Sequence, residues 1–214
     1  MVELEVGTWT FTLEGEYPSG KTYIYGGSTT ARIKANEDTV VSFVLKTKGF
    51  AASEMGVNDI LLSNGYACAS SDLSHISGAS AVGVAFTTTS GGRPLVVNTS
   101  KVKNGDGLTI TQLMAWGNSV GDGWRLPDYD EGETICTKYT FSGSAGFIAG
   151  VPIGIPPTGS RDSAIITTTV YNVNGGEYWE PTLIGSALGQ HYQYSCNSTG
   201  DVSDFFWCVV VKEF

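Results

Sequence analysis

With 214 residues, only 15% of them charged and a formal net charge of −9, the chain lacks the basic surface that nucleic acid or an anionic membrane requires. Its 12 Lys and Arg are scattered, the densest groups being Lys46-Thr47-Lys48 and Lys101-Val102-Lys103. No apolar run approaches the ~18 to 20 residues of a membrane span, and Met1-Val2-Glu3-Leu4-Glu5 has neither the basic start nor the apolar stretch of a signal peptide.

In chain order, runs of β-branched and aromatic residues predict strands over 6–14, 22–26, 29–35, 39–47, 81–89, 94–98, 108–115, 134–142, 163–173, 190–196 and 205–212. The alternation is clearest in Thr8-Trp9-Thr10-Phe11-Thr12-Leu13 and in Ile135-Cys136-Thr137-Lys138-Tyr139-Thr140-Phe141. Turn residues separate the runs: Gly26-Gly27, Asn36-Glu37-Asp38, Gly91-Gly92, Asn104-Gly105-Asp106-Gly107 and Asn174-Gly175-Gly176. One helical turn is expected near Ser53 through Leu62, weakened by Gly56. The pattern predicts an all-β fold, an antiparallel β-sandwich or jelly roll with little helix and long loops at 48–80 and 142–162, in a single domain over 1–214.

Residues 142–162 break the texture. Five glycines and Pro156-Pro157 interrupt an apolar run that includes Phe147, Ile148, Val151, Ile153 and Ile155. Such a segment is too rich in Gly and Pro for a central strand. It is expected either to dock on a neighbouring subunit through those five residues or to fold over the domain's own core.

Four cysteines allow three pairings, and Cys196 and Cys208 flank a turn-rich stretch that would set them opposite one another in a hairpin. A disulfide there and four buried free thiols are alternative readings. With no CxxC and only His75 and His191, no metal or cofactor site is expected. The acids Asp128, Asp130, Glu131 and Glu133 read as a solvated turn, because an EF-hand loop would need a Glu where Tyr139 stands.

The aromatics Tyr178 and Trp179 beside Glu177 form the best candidate for a sugar-binding patch, and Glu177 with Glu180 the best carboxylate pair for glycoside hydrolysis. Gly123-Trp124-Arg125-Leu126-Pro127 resembles a string found in C-type-lectin-like and formylglycine-enzyme-like domains of bacterial surface proteins. The likeness covers five residues and the sequence downstream departs from it, so it assigns no family. Locally it predicts that Arg125 pairs with Asp122 or Asp128 and that Pro127 ends a strand.

Uncharged Thr/Ser/Gly-rich strands, an acidic balance and the apolar 142–162 segment point to a non-enzymatic structural or adhesive protein of an external assembly. A phage or virus particle component (tail, fibre or decoration protein) is preferred over a fimbrial adhesin or other extracellular glycan-binding β-sandwich module, with a jelly-roll glycoside hydrolase behind both. The expected partners are copies of itself, other particle or appendage subunits and a cell-surface glycan, at a virion or extracellular appendage. Nucleic acid and a membrane span are not expected.

Overall fold

The computed structural model describes residues 4–104, 108–138, 140–142, 145–153, 164–173, 176–179, 182–183 and 207–214. These residues are mostly β. Seven strands lead the chain: β1 (Gly7–Ser19), β2 (Lys21–Ile33), β3 (Lys46–Ala51), β4 (Ile60–Leu62), β5 (Tyr66–Cys68), β6 (Ala81–Thr88) and β7 (Pro94–Asn98). With the C-terminal strand Val211–Glu213 they form one eight-stranded antiparallel sheet in the order β1-β2-β3-β5-β4-β6-β7-C-terminal strand.

The period of two decides which side chains meet. Ile60 and Leu62, Val84 and Phe86, and Leu95 and Val97 point to one face, where they pack with Ile135 and Cys136, Ile148, Val151 and Val211. Leu61, Ala85 and Val96 point to the other face and pack with Tyr23, Phe50 and Met55. The centre of the sheet is thus buried on both sides, which is why these strands read as continuous apolar runs. Phe50 and Phe86 are fully buried, each contributing roughly 2–3 kcal/mol of transfer free energy.

Two helices replace predicted strands. α1 (Ile110–Ser119) occupies most of 108–115, and α2 (Tyr129–Lys138) takes the first half of 134–142, leaving Thr140–Ser142 as strand. In α1 the Leu113 side chain and Gly117 are buried, and in α2 Gly132, Ile135 and Cys136 are, a spacing of three to four that belongs to a helix. A capping box starts α1: Thr109 Oγ1 accepts from the Gln112 amide at 3.2 Å, and Gln112 Oε1 accepts from the Thr109 amide at 2.8 Å. An equivalent exchange starts α2: Asp128 Oδ1 accepts from the Glu131 amide at 2.8 Å, and Glu131 Oε2 accepts from the Asp128 amide at 2.9 Å. These reciprocal bonds satisfy amides that a helix start otherwise leaves open, and they outweigh the local β-branched content.

Other expectations shift too. Gly26-Gly27 is not a turn: β2 runs straight through it, and the hairpin turn sits at Gly20, whose φ is +74°. Residues 39–45 have no regular secondary structure and lie outside the sheet ladder. The expected loop at 48–80 carries β4, β5 and two short 3-10 turns, Ala52–Glu54 and Ser70–His75. The turns at Asn36 and Gly91-Gly92 stand where expected. Predicted strand 190–196 lies outside the described residues.

Candidate functional site

The feature that sets this sheet apart is its first hairpin. β1 and β2, 13 residues each, pair without a break from Gly7↔Ile33 to Ser19↔Lys21. The turn end is fastened to the body: Lys21 pairs with Asp59, the Thr22 amide donates to Glu54 Oε2 at 3.2 Å, and Ile24 to Gly26 pair with β3. Beyond Gly26, β2 pairs with β1 alone among the described residues. The open end of the ladder is therefore an arm.

Alternation gives this arm two different faces. One carries Thr8, Thr10 and Thr12, the last within 3.0 Å of the Ser28 hydroxyl, with Glu14 further along. The other carries Trp9, Phe11, Leu13 and Tyr17, opposite Ala31, Thr29, Gly27 and Tyr23. Trp9 is 39% exposed, Leu13 45% and Tyr17 62%. The return segment 39–45 crosses this face with Val41 and Phe43 half-buried and Val40 and Val44 exposed. It comes so close at Gly27 that a Cβ there would stand 2.3 Å from the Val44 carbonyl oxygen, so the crossing requires glycine.

At the root of the arm lies a cleft of about 270 Å³. Tyr17 and Tyr23 are cross-strand partners and Tyr25 follows two residues on, so three rings share one face. Across from them stands the 70–75 turn with Asp72 and His75, and Thr47 of β3 and the Ile76 side chain complete the lining. The Tyr23 hydroxyl donates to Asp72 Oδ2 at 2.6 Å and accepts the Ala69 amide at 3.2 Å. The Tyr23 ring packs edge-to-face on Phe50 at 5.2 Å. Burial, helped by the neighbouring Asp72 charge, pushes the Tyr23 phenol up to about 12. The hydrogen bonds from Tyr23 and from Ser71 hold the Asp72 carboxyl below the usual carboxylate range.

The residues singled out from sequence fall elsewhere. Glu177, Tyr178 and Trp179 lie on strand Gly176–Trp179, at register positions opposite Asn172, Tyr171 and Val170; Glu180 lies outside the described residues. Ile148 and Val151 flank a hairpin turn at Ala149-Gly150 and are buried in the chain's own core. Phe147 and Ile153 occupy neighbouring positions of that hairpin, and Ile155 lies outside the described residues. Cys208 is a free thiol, fully buried and pushed up to about 12 by that burial, while Cys196 lies outside the described residues. Cys68 is likewise a buried free thiol, and Cys136 is buried on α2.

Arg125 does not pair with Asp122 or Asp128. Its guanidinium forks onto Glu131, with both nitrogens 2.6 Å from the carboxylate oxygens, and Pro127 leads into the cap of α2. Trp124 packs edge-to-face on Phe214 at 6.4 Å. Asn98, part of a glycosylation sequon, is buried, and its Oδ1 accepts from Ser100 and Lys101. Among the described residues no group of three His, Cys, Asp or Glu could hold a metal, and no helix is long and apolar enough to cross a membrane.

No protein-family model, no curated protein and no solved structure is similar to this chain. The hairpin alone has a local signal in the sequence, Tyr17 and Tyr23-x-Tyr25 on either side of Pro18-Ser19-Gly20.

Proposed function

We propose that the chain is a non-enzymatic structural and adhesive subunit of an external assembly, a phage or virus particle component such as a tail, fibre or decoration protein, and that it associates with copies of itself through the β1 edge. The observation that carries this reading is that, among the described residues, no strand pairs with the outer edge of β1, whose second half alone carries charge and proline at Glu14, Glu16 and Pro18. β1 ends the sheet, is 13 residues long, and pairs with β2 without a bulge. Its Gly7–Leu13 half carries no charge and no proline. Monomeric proteins blunt such edges with short strands, lysines, prolines or bulges. The opposite edge of the same sheet is blunted: the C-terminal strand has three residues, and Arg125 closes it by exchanging both backbone bonds with Val211 at 3.0 and 2.8 Å.

A second copy suits the edge because the strand is self-complementary. Antiparallel pairing of two β1 strands about Phe11 sets Trp9 against Leu13, Thr10 against Thr12 and Glu14 against Thr8 of the other copy. The apolar stripes become continuous and no glutamate meets a glutamate. With Val6 at its flank, the contact would bury on the order of 1,000 Å², the lower bound for a specific interface.

Size-exclusion chromatography with light scattering tests the reading. The expected result is a dimer or larger species at micromolar concentration that Trp9→Lys with Leu13→Lys converts to monomer. Both residues are substantially exposed, so the fold survives the change. A wild-type chain that stays monomeric at about 100 μM overturns it.

A further inference from the structure

We propose that the cleft at the root of the arm, formed by Tyr17, Tyr23, Tyr25, Thr47, Asp72 and His75, is a binding subsite for one neutral sugar ring at the end of a glycan. The inference goes beyond the assembly reading and does not depend on it.

Three features choose the ligand class. The first is the aromatic wall. Tyrosine rings present a flat apolar face together with a polar tip, and a pyranose has the matching pair of surfaces, C–H groups on its faces and hydroxyls round its edge. Tyr17 is 62% exposed at the mouth, free to receive a ring, whereas Tyr23 is buried and fixed by three contacts. The second feature is the density of hydrogen-bonding groups opposite that wall. Asp72 is oriented before any ligand arrives, because its Oδ2 accepts from Tyr23 at 2.6 Å and its Oδ1 from the Ser71 hydroxyl at 2.9 Å. Each carboxylate oxygen keeps a further lone pair for a sugar hydroxyl. His75 adds donor and acceptor capacity on the same turn, and the Thr47 hydroxyl adds it beside Tyr25, its cross-strand partner. A polyhydroxylated ligand uses all of these groups, and an apolar one would strand them.

The third feature is charge and size. No Lys or Arg lines the cleft, and the residue facing the ligand with full charge is a carboxylate. Phosphate, sulfate and acidic sugars are therefore repelled. A quaternary ammonium would welcome Asp72 and the rings, but it would leave His75 and Thr47 without partners. The volume of about 270 Å³ falls just under the ~300 Å³ at which sites for larger ligands begin, which suits a single ring rather than a chain of sugars.

Saturation-transfer NMR and calorimetry on the full chain test the proposal with a panel of neutral hexoses and N-acetylhexosamines, alongside sialic acid and choline. The expected result is saturable binding of at least one neutral sugar with a Kd on the order of 1 mM. It should weaken at least about tenfold in Tyr17→Ala and in Asp72→Asn, with thermal unfolding of Tyr17→Ala unchanged. Binding should persist in the Trp9→Lys/Leu13→Lys variant, which separates this site from self-association. Absence of binding by every neutral sugar, binding undiminished in Tyr17→Ala, or tighter binding of choline or sialic acid would each overturn it.

Discussion

Tyr23 ties the arm to the body through a single phenol, and its surroundings make that link measurable. Its hydroxyl serves Asp72 and the Ala69 amide at once, so Tyr23→Phe leaves a carboxylate and an amide short of a partner without creating a cavity. The expected loss is about 1–2 kcal/mol by urea unfolding. The link also has a pH signature at each end of the scale. The phenol titrates near 12 in the folded chain against ~10 unfolded, so its contribution is complete below pH ~10 and is lost as the pH rises towards 12. Asp72 runs the other way: its folded value is lowered, so its contribution is present above the unfolded value of ~3.9 and is lost as the pH falls through the folded one. Unfolding midpoints measured across pH should therefore fall at both extremes, and Asp72→Asn should flatten the acid limb and, by removing the charge that helps raise Tyr23, also alter the alkaline one. Arg125 offers a second residue-scale test. Arg125→Lys keeps the charge but not the fork onto Glu131, and because the guanidinium is half exposed the cost should stay near 1 kcal/mol.

At the scale of elements, the sequence is most misleading where β-branched residues sit inside helices. Thr109-Ile110-Thr111 reads as alternation, yet the deciding signal is the Thr109/Gln112 pair; Asp128/Glu131 does the same for α2. Both are S/T/D-x-x-E/Q patterns, legible in principle and outvoted by propensity. Thr109→Ala and Asp128→Ala should each cost about 1 kcal/mol and lower helical signal in far-UV circular dichroism. A larger effect for Asp128→Ala is expected, since Glu131 also holds Arg125. The strands of the sheet centre were readable at 81–89 and 94–98 because burial on both faces leaves continuous apolar runs. β4 and β5, three residues each, are too short to show a period, and tertiary pairing alone defines them. Glycine misled in a similar way. Gly26-Gly27 looks like a turn, but Gly27 is there for the close pass of Val44. Gly49, with φ +122° and the Ala67 carbonyl 2.3 Å from where a Cβ would sit, marks the bulge at which β3 breaks register with β2. Gly49→Ala should therefore destabilise by more than ~2 kcal/mol, read from the denaturation midpoint. The cleft was invisible to sequence for a related reason: its tyrosines come from the arm, while Asp72 and His75 come from a 3-10 turn some 50 residues on, and no local pattern links them.

For the whole molecule the decisive contrast is between the two ends of one sheet. One end is three residues long and capped by Arg125; the other is 13 residues long with an apolar stripe beside it. A lone monomer gains from blunting both edges, so this asymmetry among the described residues supports the proposed partner at the β1 edge. The partner's identity can be tested through ionic strength. Two chains that each carry a formal charge of −9 repel one another, whereas the proposed β1 contact would consist of backbone bonds and the side chains of Trp9, Phe11 and Leu13. Added salt screens the repulsion, with a Debye length near 10 Å at 0.1 M and about 3 Å at 1 M, and leaves the contact untouched. The dimer fraction at fixed concentration should therefore rise with salt, the reverse of an interface held by ion pairs. Because the dimer forms only from folded chains, its thermal midpoint should also climb with protein concentration, and that dependence should vanish in Trp9→Lys/Leu13→Lys. Analytical ultracentrifugation from 50 mM to 1 M NaCl checks the first expectation and calorimetry over a hundredfold range of concentration the second. A dimer that dissociates as salt rises would move the contact away from β1 to a charged surface.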